Sequence, residues 1–249
     1  MEVLFVNKGE NAMSKPKISV VIPALNEEKY LEATLKALRC SDYKKKFEVI
    51  VADGGSKDGT VRIARKYADR VVVTGRGIAK GRNAGAAVAK GDVLLFVDAD
   101  TVVMYNTLSE FERVFKDRRV VAATCPILLM SHLYKDFMAY WELNQLVKLS
   151  ITKVKMPHIV GSCFAARKKV FDEVGGFDET VETLEDLELA ERLGKRGRVV
   201  FDEKTLVLTS PRRINKWGVV GSFLKAVKAY IKYRRTGKGV SIKQWEPVR

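Results

Sequence analysis

Cysteine, histidine and glutamine are scarce in this chain, and no apolar run in it is long. The three cysteines, Cys40, Cys125 and Cys163, are odd in number and far apart in 249 residues. That excludes a disulfide framework or a zinc cluster, and their apolar contexts predict reduced thiols in the core. Two glutamines, Gln145 and Gln244, stand against 75 charged residues, a bias that resembles thermophile composition. The longest uncharged stretch, Val120 to Tyr134, is broken by Thr124, Pro126, Ser131 and His132. It falls short of the roughly 20 apolar residues that a bilayer crossing needs. The start, MEVLFVNKGE, holds too short an apolar run for a signal-peptide core, so the expectation is a cytoplasmic protein, peripheral on the inner membrane face at most. With 47% hydrophobic and 30% charged residues, disordered and collagen-like classes are also excluded.

Acidic residues are nearly missing from one region. From Pro211 to Arg249 there are eleven Lys/Arg and a single acid, Glu246, so most of the formal net charge of +15 belongs to this tail. Such a segment attracts an anionic partner: nucleic acid, a membrane surface or a phosphorylated substrate.

The first half alternates short β-branched runs with helical patterns, as βαβ units do. The runs are Ile18–Ile22, Phe47–Ala52, Arg70–Thr74, Val93–Val97 and Val120–Thr124. Glu28–Arg39 and Thr60–Ala68 have the apolar spacing of helices. These predict an α/β, Rossmann-like, mostly parallel central sheet flanked by helices. Later, His132–Lys153 reads as a long aromatic helix, Leu184–Leu193 as another, and Val199–Phe201 and Leu206–Thr209 as strands. The expected organisation is an N-terminal extension over 1–15, one catalytic domain over 16–210, and a basic C-terminal arm over 211–249. Within the domain, about 16–104 forms a nucleotide half and about 105–210 an acceptor half.

Ligands of open parallel sheets collect beyond the carboxyl ends of the strands. Four segments there carry unusual chemistry. In Pro23-Ala24-Leu25-Asn26-Glu27-Glu28, the proline ends a strand and Asn26 is placed to cap the next helix, with both glutamates at its positive end. In Asp53-Gly54-Gly55-Ser56-Lys57-Asp58-Gly59-Thr60, Asp53 sits where a carboxylate can accept from a base or ribose, and Asp58 or Thr60 reads as an N-cap. Asp98 and Asp100 follow the apolar strand Val93–Val97. If the chain stays extended, i and i+2 project together, and two such carboxylates suit Mg²⁺ or Mn²⁺. Finally, Gly75 to Gly85 opens a helix with Arg76, Lys80 and Arg82, donors fit for a diphosphate, but without the spacing of a P-loop.

Together the strings VVIPALNEE (Val20–Glu28), VADGGSKDGT (Val51–Thr60), GRNAGAAVAKGDVLLFVDADT (Gly81–Thr101), GSCFAARKKVFDEVGGFDE (Gly161–Glu179) and LEDLELAERL (Leu184–Leu193) resemble the family-2 glycosyltransferases of GT-A fold over nearly the whole chain. The resemblance implies inverting transfer of a sugar from a nucleotide diphosphate sugar, assisted by a divalent cation, Mn²⁺ or Mg²⁺. It implies that Pro23, Ala24, Glu27 and Asp53 hold the nucleoside, that Arg82 lies near the diphosphate, and that Asp98 and Asp100 bind ribose and metal. The catalytic base it implies is the second acid of the Glu185-Asp186 pair. Those two acids also fit the first turn of a helix, where its dipole favours them.

After the last strand, Arg212 and Arg213 are suited to a phosphate clamp or simply begin a solvated tail. The stretch departs from the QxxRW pattern of processive polysaccharide synthases. On a helical wheel Val220, Phe223, Leu224, Val227, Tyr230 and Ile231 group on one side, and Lys225, Lys228, Lys232 and Arg235 on another. That pattern fits a basic amphipathic helix at an anionic membrane surface, or a helix docked on the domain with a solvated basic face. The expected acceptor is a glycan or a lipid-linked phosphate such as a polyprenyl phosphate. Two rivals are weaker. A sugar-phosphate nucleotidyltransferase carries a Gly-rich basic signature near its N-terminus that PALNEE is not, and a nucleic-acid binder would have no use for Asp98 and Asp100. His158, beside Pro157, reads as an ordinary loop histidine.

Overall fold

Valine and isoleucine stiffen an extended backbone, and the early runs alternate which face of the sheet each side chain enters, so all five form strands. The computed structural model describes residues 2–5, 15–181 and 183–236. Its strands are β1 (Glu2–Phe5), β2 (Ile18–Ala24), β3 (Phe47–Asp53), β4 (Arg70–Val73), β5 (Val93–Val97), β6 (Thr101–Val103), β7 (Val120–Thr124), β8 (Ile127–Leu129), β9 (Cys163–Arg167), β10 (Arg198–Phe201) and β11 (Val207–Thr209). Its helices are α1 (Leu31–Arg39), α2 (Thr60–Tyr67), α3 (Ile78–Val88), α4 (Thr107–Val114), α5 (Tyr134–Thr152), α6 (Lys168–Glu173), α7 (Glu185–Gly194) and α8 (Arg212–Thr236).

Eight strands form one sheet in the order β1-β4-β3-β2-β5-β9-β7-β10. The run β4-β3-β2-β5 is parallel, as is β7-β10, while β9 is antiparallel to both β5 and β7. The mostly parallel α/β sheet is therefore as expected, with β9 reversing its direction midway. A second, small sheet has the order β6-β11-β8. One core lies where Val20, Ile22, Leu95 and Val97 meet Leu31, Leu35 and Leu38 of α1 and Phe111 of α4. On the opposite face Val21, Ile50, Leu94 and Phe96 meet α3 and α7. There Phe96 stacks on Phe164 with ring centroids 4.8 Å apart, and Phe171 and Phe177 close around it. Gly85 lets α3 pack this near β2, since a Cβ at that position would collide with Val21.

Several expectations need correction. Cys125 and Cys163 are buried free thiols, but Cys40 ends α1 at the surface and is exposed, so it is no core residue. The first helix starts at Leu31 rather than Glu28. Residues 2–5, placed in an N-terminal extension, form an edge strand antiparallel to β4. The rest of that extension up to Ser14 lies outside the described residues, as do residues 237–249 of the basic arm. The arm does begin with a helix, interrupted at Gly218 (φ 70°, ψ 168°). No helix among the described residues is long and apolar enough to cross a membrane.

Candidate functional site

The carboxyl ends of β2, β3 and β5, the start of α3, the loop before β9, the start of α7, the middle of α5 and the head of α8 enclose one cleft of about 480 Å³. Parallel strands end together on one side, and this is where ligands of such sheets bind. Pro23, Ala24, Glu27, Arg82, Asp98, Glu185, Asp186, Arg212 and Arg213 all line the cleft. Asp53 and Asp100 do not.

Asp53 lies beneath the floor, 1% exposed. One carboxylate oxygen accepts the N–H groups of Gly55 and Ser56 at 3.0 Å each, which holds the turn after β3. The other, Oδ1, is buried without a partner. The neighbouring turn is sewn to the same loop. Asn26 adopts a left-handed conformation (φ 55°) and accepts from the Lys57 N–H, while the Glu27 N–H donates to Thr60 Oγ1. Asn26 is thus a loop clasp and not the expected helix cap, and α1 has no side-chain cap. Asp58 accepts from the Thr60 N–H in the turn ahead of α2, but the cap position is Gly59 and α2 has no side-chain cap, so neither Asp58 nor Thr60 is the expected N-cap.

Arg82 is 1% exposed and joins the two walls. Its guanidinium donates to Asp98 at 3.0 Å, to Glu185 at 2.9 Å and to the Gly161 carbonyl at 2.8 Å. It also lies over the Phe177 ring, 5.3 Å from the centroid. Sequence reading put this arginine near a diphosphate. The geometry makes it first a buried tie between carboxylates far apart in sequence. Gly161 continues the tie, because its N–H donates to Asp186 at 2.8 Å. A Cβ on Gly161 would sit 3.0 Å from Asp186 Oδ2 and 3.2 Å from Arg82. Leu184, left-handed at φ 64°, starts α7 so that Glu185 points inward to Arg82 and Asp186 to the cleft. Burial, then the adjacent Asp186, pushes the Glu185 carboxyl up to about 7, and Arg82 opposes this. His158 is half-buried near Asp186, and burial pushes its imidazole down.

The Asp98–Asp100 pair departs from expectation. The chain does not stay extended there; it turns, with the Thr101 N–H on the Asp98 carbonyl, so i and i+2 no longer share a face. Asp98 opens onto the cleft while Asp100 enters an adjoining cavity bounded by Tyr30 and Arg212. Arg212 sits between the acids. It meets Glu27 with two bonds at 2.8 and 2.9 Å and Asp100 at 3.0 Å, and lies over the Tyr30 ring. Burial pushes the Asp100 carboxyl up to about 6; Arg212 opposes that, and Asp98 and Glu27 add to it. Among the described residues no three acids, histidines or cysteines are preassembled around one metal position. Carboxylate oxygens of Glu27 and Asp100 meet on Arg212, while Asp98 pairs with Arg82 and acts on Arg212 through its charge alone; hard oxygen donors of this kind are the chemistry suited to Mg²⁺ or Mn²⁺.

Sequence reading passed over the contribution of α5. Tyr140, Leu143 and Asn144 line the cleft, and Asn144 pairs with both backbone groups of Ile127, fixing β8 to the helix. A buried amide inside an aromatic helix was the available signal.

This arrangement of acids and glycines has known counterparts. The family model described as glycosyl transferase family 2 matches residues 19–175. The chain belongs to this family. It is similar to the succinoglycan biosynthesis protein ExoA of Rhizobium meliloti, 31% identical over 212 residues, which are 78% of this chain and 63% of that protein. The chain thus spans less than two thirds of that relative's length. Its fold matches the mannosyltransferase PcManGT from Pyrobaculum calidifontis, solved in complex with GDP-Man and Mn²⁺, with TM-score 0.66 and 22% identity over 95% of this chain and 68% of that one. It also matches S. aureus TarS in complex with UDP-GlcNAc, with TM-score 0.63 and 22% identity over 78% of this chain and 58% of that one. The sheet with its flanking helices is therefore the GT-A arrangement.

Proposed function

We propose that the cleft transfers a sugar from a nucleotide diphosphate sugar to an acceptor hydroxyl or phosphate, with inversion at the anomeric carbon. The observation that carries this is the meeting of Asp98 and Asp186 on two walls of one cleft, held by Arg82 and Gly161. Pro23, Ala24 and Glu27 form the nucleoside side, and the unpartnered Oδ1 of Asp53 fits a base or ribose donor there. Asp98, with Asp100 behind it, would hold a divalent cation, whose charge offsets that developing on the leaving diphosphate. Solved GT-A neighbours that hold GDP-Man with Mn²⁺ or UDP-GlcNAc support this donor class. Arg212 and Arg213 would meet the diphosphate or an acceptor phosphate from the far side.

Asp186 faces the cleft with each oxygen accepting only a backbone N–H, from Gly161 and from Leu187, which leaves lone pairs for an acceptor. Against a hydroxyl acceptor it takes the proton as general base. Against a lipid-linked phosphate, already ionised, it orients the acceptor. We favour a lipid or polyprenyl phosphate, because the basic helix α8 starts at the cleft. In this reading residues 16–210 are the catalytic unit, with its nucleotide half over about 16–104 and its acceptor half over about 105–210, and residues from 211 form the acceptor-side arm.

The test is thermal unfolding with UDP, GDP, dTDP and CMP, each with and without Mn²⁺, on the wild type, Asp98→Asn and Asp100→Asn. A ligand at a hundred times its dissociation constant stabilises by about 2.7 kcal/mol. Stabilisation by one nucleoside diphosphate that needs metal and vanishes in the variants is expected. No shift with any nucleotide overturns the donor site.

A further inference from the structure

Helix α8 does not dock by its apolar face. Beyond Gly218 it is anchored by a narrow edge, where Ala229 and Tyr233 are buried, the Tyr233 hydroxyl donates to Glu191 at 3.2 Å and Arg234 pairs with Glu191 at 3.2 Å. Val220, Phe223, Leu224 and Ile231 point elsewhere and are 70, 61, 60 and 46% exposed. A row of large apolar side chains left outside by a helix that is already anchored marks an interaction surface rather than a folding contact.

The charge beside that row selects its partner. Over residues 212–236 there are eight Lys/Arg and no acid, and Lys225, Lys228, Lys232 and Arg235 lie along one border of the row. A second copy of this chain would bring two cationic faces together, and a nucleic acid would leave the valine, phenylalanine and leucine side chains without partners. An anionic bilayer satisfies both features, with apolar side chains entering the acyl boundary and lysines meeting headgroups. Helix α5 adds the stacked pair Phe137 and Trp141, 45 and 51% exposed, and aromatic residues of this kind favour the membrane interface. Both helices border the catalytic cleft, α5 through Tyr140 and Leu143 and α8 through Arg213 and Ala229.

We infer that the outer face of α8 past Gly218, assisted by the α5 aromatics, lies on an anionic lipid surface and so sets the acceptor side of the cleft against the bilayer. The delivery of a lipid-linked acceptor rests on the function proposed for the cleft; the docking itself does not.

The experiment is co-sedimentation of the full chain with vesicles of phosphatidylcholine alone and of phosphatidylcholine with phosphatidylglycerol, at low and high salt. Binding to the anionic vesicles that weakens with salt is expected. Lys225→Gln with Lys228→Gln should lower partitioning about thirty-fold at low salt, at ~1 kcal/mol per lysine. Phe223→Ser with Leu224→Ser should abolish it while the thermal midpoint stays within a few degrees, as substitutions at exposed positions allow. Wild type that stays in the supernatant, or variants that bind as well as wild type, overturns the proposal; dimerisation lost in Phe223→Ser with Leu224→Ser and no vesicle binding would assign the face to a second copy. Nucleotide-induced stabilisation is read separately, so failure of the docking and failure of the donor site are distinguishable.

Discussion

At the scale of single residues, the site is organised by a buried cation. Arg82 touches Asp98, Glu185 and Gly161 together, and a fully desolvated guanidinium needs those acceptors to be tolerated at all. Glu185 is the member with a measurable consequence. Its carboxyl is pushed up to about 7 by burial, so the native state keeps a proton that the unfolded chain releases near its ordinary value of 4.5. The native state then binds more protons across that window, and stability falls as pH rises from about 4.5 to about 7, by on the order of 2–3 kcal/mol from this group. Thermal midpoints in EDTA should decline across that window in wild type and less steeply in Glu185→Gln, where Asp100, also raised, still titrates. An equal slope in both would remove Glu185 from the account. The sequence displayed the charged residues of the cleft, Glu27, Arg82, Asp98, Glu185, Asp186, Arg212 and Arg213, but neither their pairings nor the lining from α5. A side chain's type shows what it can bind, whereas whether Arg82 meets a phosphate or a carboxylate depends on which loops return to it. The two-residue spacing of Asp98 and Asp100 misled because it holds only for extended backbone, and the chain turns there.

Among the elements, legibility followed length and branching. Val93–Val97 and Val120–Thr124 are uninterrupted and appear as strands with those bounds. In the small sheet β11 falls within the expected Leu206–Thr209, whereas β6 and β8 have three residues each, too few for periodicity, and β9 is built on alanines that carry little strand signal. Helix α8 was legible as amphipathic, but its orientation was not, since a wheel cannot tell a docking face from an outward one. Its head makes the firmest prediction at this scale. Arg212 alone separates Glu27 from Asp100, and removing one partner of a buried ion pair costs about 3–5 kcal/mol. Arg212→Ala should therefore lower the thermal midpoint of the metal-free protein, and Mn²⁺ should raise the variant's midpoint by more than it raises that of wild type. Calorimetry with and without Mn²⁺ checks this, and a variant indifferent to the ion would show that the acids do not form a cation site.

For the whole molecule, thiol accessibility gives a direct check on the packing. Cys40 is exposed, while Cys125 and Cys163 are buried between sheet and helices. One thiol should react with a soluble aromatic disulfide reagent in the native protein and three in guanidinium chloride. Rapid reaction of all three without denaturant would mean that the core around β9 is not closed. The order of the strands carries one more consequence. β9 comes late in the chain yet lies between β5 and β7, and the Glu27–Arg212 pair joins residues 185 positions apart. A nascent chain leaving the ribosome can pair β2 through β5 early, but β7 has no neighbour in the main sheet until β9 is released. The carboxylates near Glu27 stay uncompensated until residue 212 follows. Contacts so distant along the chain slow folding, so the cleft can be completed only once residue 212 has emerged, long after the strands that carry its floor.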